Sequence, residues 1–176
     1  MPQFHIRAAV IEDALAIASV QYFGWQQTYL GIINQAYLDS LSIEKGFEFT
    51  KRLLASAQPV TLIMVNAEDV VIGYISGGQS RAEELPCDGE IYALYVLKQY
   101  HGLGLGKQLL IDAVTQLLKR GYKSVCVFVL KDNPAIGFYK KFKPNLEITV
   151  KVTIGNEEYE ELGLGWNDAN SLAATC

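Results

Sequence analysis

Gln99-Tyr100-His101-Gly102-Leu103-Gly104-Leu105-Gly106-Lys107 decides how this chain reads, because it joins a strand-like run to a helix-like run and carries glycine at three alternate positions. The run before it, Glu90–Leu97, is rich in isoleucine, tyrosine and valine, the residues that suit a pleated surface. After it, Leu105, Leu109, Ala113 and Leu117 recur at helical spacing, and Gly121 stands where the end of a helix favours glycine. Glycines at alternate positions let bare amides approach an anion closely, and the helix that follows adds the positive end of its dipole. The segment therefore reads as a cradle of pyrophosphate size. Two better-known phosphate loops do not fit it. A P-loop requires glycine where His101 stands and a hydroxyl residue where Gln108 stands, and the dinucleotide fingerprint requires glycine at Lys107.

Working outward, Ser124–Leu130 is almost wholly apolar, as in a strand buried on both faces. Asn133-Pro134 then caps and opens a short helix running to about Phe142. Two last strands, Leu146–Ile154 and Glu157–Trp166, flank Gly155-Asn156, a dipeptide made for a tight hairpin. Upstream, Thr61–Val65 and Val70–Ser76 form another hairpin around Asn66-Ala67-Glu68-Asp69, followed by a polar, acidic loop from Gly77 to Gly89. Before these lie a first strand at Phe4–Ala9 and a helix opened by Glu12-Asp13 whose stripe is Leu15, Ala18, Tyr22, Trp25 and Tyr29. A short helix at Gln35–Leu41 and a third after Ser42, with Ile43, Phe47, Thr50 and Leu54 on one face, complete the N-terminal part. The order is β, helices, β-hairpin, β, α, β, α, β-hairpin: an α/β (α+β) chain with a mixed sheet, not a doubly wound parallel one.

The 176 residues suit a single domain, expected over 1–166 with a loose tail at 167–176. Half of them are apolar and 19% charged, which excludes a disordered chain. The longest apolar run, Ile91–Leu97, is far short of the roughly 18 residues of a membrane span. With no secretory signal pattern, a cytoplasmic location is expected. Net charge −4 argues against salt-driven binding to nucleic acid. Cys87, Cys126 and Cys176 have no metal-ligand spacing and read as free thiols, and His5 and His101 are poorly placed for a Ser-His-Asp hydrolase, so no metal is expected.

His101-x-x-Gly104-x-Gly106 followed by Leu109-Leu110 resembles the signature of the GNAT superfamily of acetyl-CoA-dependent N-acetyltransferases, with histidine in a slot that usually holds Gln or Arg. Ile6-Arg7-Ala8-Ala9 with Asp13, Glu90–Val96, and Ala135-Ile136-Gly137-Phe138-Tyr139 resemble the family's opening strand, central strand and C-terminal helix. Trp25-x-x-x-Tyr29-x-Gly31 is similar to a bacterial branch that includes polyamine acetyltransferases. The resemblance implies a mostly antiparallel sheet of six to seven strands, flanked by helices and splayed at the cofactor site beside Leu94–Val96 and Val127–Val129. A bulge in the first of these strands would aim an amide at the thioester carbonyl. It also implies acetyl-CoA as cofactor, held by Leu94, Tyr95, Val96, by His101, Gly102, Leu103, Gly104, Leu105, Gly106 and Lys107, and by Asp132, Asn133 and Tyr139. Where the family has Asn before the last helix and Gly-Phe after it, this chain has Asp132, with Asn133 next, and Lys143-Pro144.

An alkylammonium titrates near 10.4 and must lose a proton before it attacks. Glu90 is the expected base, with Tyr92 on its face of the strand, and Tyr139 the expected proton donor to the departing thiolate. Trp25, Tyr29, Glu90 and Tyr92 are the expected acceptor-site residues, and Glu83, Glu84, Asp88 and Glu90 would favour a cationic amine if they converge. The expected activity is transfer of an acetyl group to the primary amine of a small cationic acceptor by direct attack in a ternary complex, since no cysteine sits where an acyl-enzyme would need it. The alternatives are acetylation of peptide N-termini or lysines, and a non-catalytic acyl-CoA-binding domain. The sequence defines no dimer geometry for a homodimer.

Overall fold

The computed structural model describes residues 3–56 and 58–174, so Cys176 lies outside it. Strand β1 (His5–Ala8) leads through a 3-10 turn into helix α1 (Ala14–Thr28), then α2 (Gln35–Ser40) and α3 (Ile43–Ser56). Strands β2 (Val60–Val65), β3 (Val71–Gln79) and β4 (Gly89–Val96) follow, then α4 (Leu105–Lys119), β5 (Val125–Leu130), α5 (Ile136–Lys140), β6 (Leu146–Ile154), β7 (Glu157–Trp166) and α6 (Ala169–Ala173). The seven strands form one open sheet in the order β1-β2-β3-β4-β5-β7-β6. All neighbours are antiparallel except β4 and β5. The mixed, mostly antiparallel sheet expected from the sequence is therefore the fold.

Period-two alternation sends each strand's residues to two apolar layers. Under one face, Leu109, Leu110, Ala113 and Leu117 of α4 pack with Met64, Ile72, Val125, Val127 and Leu164. Each fully buried leucine there contributes about 1.5–3 kcal/mol. Against the other face, Ile17 and Val20 of α1 meet Ile63, Val65 and Tyr74. The stripe expected on α1 is only partly the buried one: Ala14, Ile17, Ala18 and Val20 are buried, whereas Leu15 is 55% exposed. The helix is apolar nearly all round, so periodicity alone does not select its inner face.

The stretch expected to be loose from Asn167 contains α6, whose Ala169 and Leu172 are buried against α4, with Ala169 N–H donating to the Lys123 carbonyl at 2.8 Å. At the turn before β6, Lys143 takes φ +53°, the left-handed conformation that suits glycine.

Candidate active site

β4 and β5 pair only through Gly89–Val125, Glu90–Cys126 and Ile91–Val127, and beyond that point they separate. The gap lies beside Tyr92–Val96 and Phe128–Leu130, one residue farther along β5 than the sequence suggested. At the point of separation Ser76 faces Ala93 while Gly77 faces Ile91, which leaves Tyr92 as the extra residue of a bulge in β4.

At the C-terminal end of β4 the chain reaches the glycine turn. Gly102 and Gly104 take φ +80° and +78°, and a methyl group built on either would meet nothing within 4 Å, so the space over the turn is open. Gly104 caps α4, and Gln108 N–H is the first amide to close on it, at 3.1 Å. Among the described residues the N–H groups of 102–107 donate to no backbone carbonyl. Six amides in the turn and the first residues of a fifteen-residue helix are thus left without a backbone acceptor, as binding of an anionic ligand requires. His101, expected among them, turns back instead: its Nε2 lies 2.7 Å from the Val96 carbonyl, bracing the end of β4.

Four tyrosines gather on the other side of the gap. The Tyr29 hydroxyl bonds to Tyr95 and receives the Asn133 side-chain N–H at 3.3 Å, while Asn133 Oδ1 caps the amide of Ala135 at 2.8 Å. Asn133 therefore ties the end of α1 to the start of α5, and Asp132 beside it is exposed. Tyr139, on α5, is buried close to Tyr29 and Tyr95, and its burial pushes its hydroxyl well above the ordinary phenolic range. Burial does the same to Tyr74 and Tyr95. The Trp25 and Tyr29 rings meet in a tilted contact, 4.7 Å between centroids, and both belong to a small core with Leu38, Leu130 and Tyr159 that joins α2 to the β6–β7 hairpin. Their main contacts are thus structural. A separate cavity of about 750 Å³ lies between α1, α3 and the sheet, lined by Gln21, Thr50, Tyr74, Ser76, Arg81 and Tyr92 among others; of the four residues expected at the acceptor site it includes only Tyr92.

The expected convergence of carboxylates is not found. Glu83 and Glu84 are exposed, and Asp88 accepts the amides of Lys123 and Ser124, clamping the loop to the start of β5. Glu90 is 5% exposed and holds Arg81 with both oxygens, at 2.8 Å to its amide and 2.5 Å to its guanidinium. Arg81 also lies 4.1 Å over the Tyr92 ring, and the Tyr92 hydroxyl donates to the Gln79 carbonyl at 2.6 Å. Residue type and spacing could not disclose these partners, since Arg81 drew no attention in the loop.

One further carboxylate escaped the sequence reading. Glu157-Glu158-Tyr159-Glu160-Glu161 places four glutamates around one tyrosine, and only strand register separates them. Glu158 pairs with Lys151, Glu160 with Lys131, and Glu157 with Asn34 and Tyr159. Glu161 lies opposite Leu130, is half-buried, and has no hydrogen-bond or ion-pair partner among the described residues. Burial and the charge of Glu90 push its carboxyl above the ordinary carboxylate value, against a smaller opposite pull from Arg81.

Cys126 is fully buried, with its thiol on the Gly89 carbonyl at 3.6 Å. Its hydrogen bond to Cys87, and then its burial, push that thiol far up.

The sequence and the fold have counterparts among known proteins. Residues 25–143 match the model of the Acetyltransferase (GNAT) family. The chain is 33% identical over 167 residues to the uncharacterized N-acetyltransferase YuaI of Bacillus subtilis, covering 95% of each. It is 24% identical over 147 residues to the spermidine N(1)-acetyltransferase of Thermoplasma acidophilum, covering 81% of this chain and 88% of that one. Among solved structures, the PaiA N-acetyltransferase of T. acidophilum in complex with coenzyme A superposes with a TM-score of 0.66 over 91% of this chain and 98% of that one, at 24% identity. A chain with this fold, matched by that family model and by an N-acetyltransferase relative over nearly its whole length, belongs to the GNAT family and is an acetyl-CoA-dependent N-acetyltransferase.

Proposed function

We propose that this N-acetyltransferase acts on the primary amine of a small cationic acceptor, by direct attack on acetyl-CoA in a ternary complex. The observation that carries the reading is the end of β4–β5 pairing at Ile91 and Val127, coincident with the Tyr92 bulge and continuous with the cradle. In this reading the amides of residues 102–107 hold the pyrophosphate and α4 supports it with its dipole. The pantetheine arm lies along Leu94–Val96, and the β4 amide left free by the bulge donates to the thioester oxygen as negative charge develops there. Tyr139 keeps its proton throughout the neutral range and can give it to the departing sulfur.

Direct attack is supported by Cys126, on the strand that borders the gap. A fully buried thiol held far above its ordinary range supplies little thiolate for an acyl-enzyme. Glu90 serves here as a positioning residue: with both oxygens on Arg81 it fixes the loop that walls the cavity. A small amine is favoured by the likeness to a spermidine acetyltransferase. The test is coenzyme A release with spermidine, aminoglycosides and N-terminal peptides at two salt concentrations. Spermidine is expected to turn over fastest, with a KM that rises with salt; faster turnover of peptides than of every polyamine contradicts the reading.

A further inference from the structure

We infer that Glu161 is the proton acceptor for the attacking amine, a role no feature of the sequence assigns to it. The inference rests on the reading that an amine attacks acetyl-CoA at the splay. Three observations lead to it. First, Glu90 is committed: both of its oxygens hold Arg81, and taking up a proton there would require breaking an ion pair whose carboxylate is buried. Second, register places Glu161 on the same sheet face as Leu130 of β5, the strand that borders the gap, one strand spacing or about 4.8 Å away. The same alternation puts Glu90 and its paired Cys126 on that face, which is the face of α1 and Tyr29. Third, Glu161 is the one glutamate of its run without a partner among the described residues, although it is half-buried. A carboxylate drawn out of water and left unpaired is costly to a fold, and such groups gather where chemistry uses them.

The groups facing it are Glu90 of β4, Arg81 of the loop before β4, Tyr29 after α1, and Tyr159 on its own strand. Arg81 and Glu90 nearly cancel each other, so Glu161 remains the uncompensated negative charge on this floor. Its raised affinity for protons brings it nearer to the amine it must deprotonate, the direction that favours proton transfer. The ammonium gives one proton to Glu161; the neutral nitrogen bonds to the acetyl carbon while the carbon–sulfur bond breaks. The sulfur leaves with the bonding pair and takes the proton of Tyr139, which recovers one from the nitrogen. Glu161 then releases its proton to water.

The experiment is the pH profile of kcat/KM for spermidine, with saturating acetyl-CoA, for the wild type, Glu161→Gln, Glu161→Asp and Glu160→Gln. Glu161→Gln is expected to lose roughly 10²-fold or more at neutral pH, to lose the acidic limb of the profile, and to recover as rising pH neutralises the amine itself. Its affinity for acetyl-CoA and its melting temperature should not fall. Glu161→Asp should keep the acidic limb at a reduced rate, and Glu160→Gln should behave as wild type. An unchanged profile in Glu161→Gln overturns the inference, as does a rise in KM alone with the acidic limb intact, which would make Glu161 an anchor for the cation. If Glu161→Gln does not fold, a Glu161→Asp profile lacking the acidic limb overturns it equally. A wild type that binds acetyl-CoA but acetylates no amine removes the underlying reading, and the inference with it.

Discussion

At the residue scale, Tyr139 and Glu90 illustrate how burial assigns roles to groups of known chemistry. The Tyr139 hydroxyl, buried beside Tyr29 and Tyr95, stays protonated far beyond neutral pH and so is always ready to donate. Tyr139→Phe is therefore expected to lower kcat by about 10²-fold while leaving acetyl-CoA affinity within twofold, because in the proposed mechanism only the departing thiolate needs the proton. Stopped-flow turnover with calorimetry of the same variant checks this, and a parallel loss of affinity would show a binding role instead. Tyr139 stands out in the sequence because it belongs to a motif. The true partner of Glu90 does not, because an ion pair between a loop arginine and a strand glutamate is a fact of three dimensions.

At the scale of elements, the seating of α1 on the sheet governs the site. Gly24 permits it: a methyl group there would lie 2.5 Å from the Tyr95 ring, so only glycine lets the helix come this close. Gly24→Ala must displace that ring, and a cost of about 1–3 kcal/mol is expected in chemical denaturation, together with weakened activity, since Tyr95 contacts Tyr29 and lies on the gap. The other end of α1 is anchored by Asp13, which accepts from Arg7 at 2.7 and 2.9 Å and from the Val10 amide at 2.8 Å. Burial opposes ionisation of Asp13, but these bonds outweigh it and hold the carboxyl below its ordinary value of 3.8. Asp88 is held down likewise, its amide bonds prevailing over burial. For a depressed carboxyl the stabilisation is complete above the ordinary value and is lost as pH falls through the lowered one. Melting temperature should therefore drop on acidification below about pH 4, and Asp13→Asn and Asp88→Asn should flatten that drop. Strand and helix order was legible because hydrophobic period switches along the chain, from 3.6 to two and back. The inner face of α1 was not, since a helix apolar on most sides buries whichever side the neighbouring strands offer.

For the whole molecule, one sheet performs two jobs by being incompletely paired. Strands β2 to β5 and β7 make a continuous core with α4, while the unzipped half of β4 and β5 is, in the proposed function, where a thioester meets the amine. The glycine turn announced the cofactor in the sequence because alternate glycines have a direct physical meaning. The acceptor side stayed obscure because it depends on which of many carboxylates are neutralised, and Asp88, Glu90 and Glu160 all are. Calorimetric titration of acetyl-CoA into the wild type and Gly104→Asp tests the proposed cradle most directly. At φ +78°, aspartate strains the backbone by about 1–2 kcal/mol and sets a negative charge among the amides. The expected result is one bound equivalent in the wild type and at least a tenfold loss of affinity in the variant, about 1.4 kcal/mol, with the fold retained by circular dichroism. Unchanged affinity in a folded Gly104→Asp would contradict the placement of the cofactor.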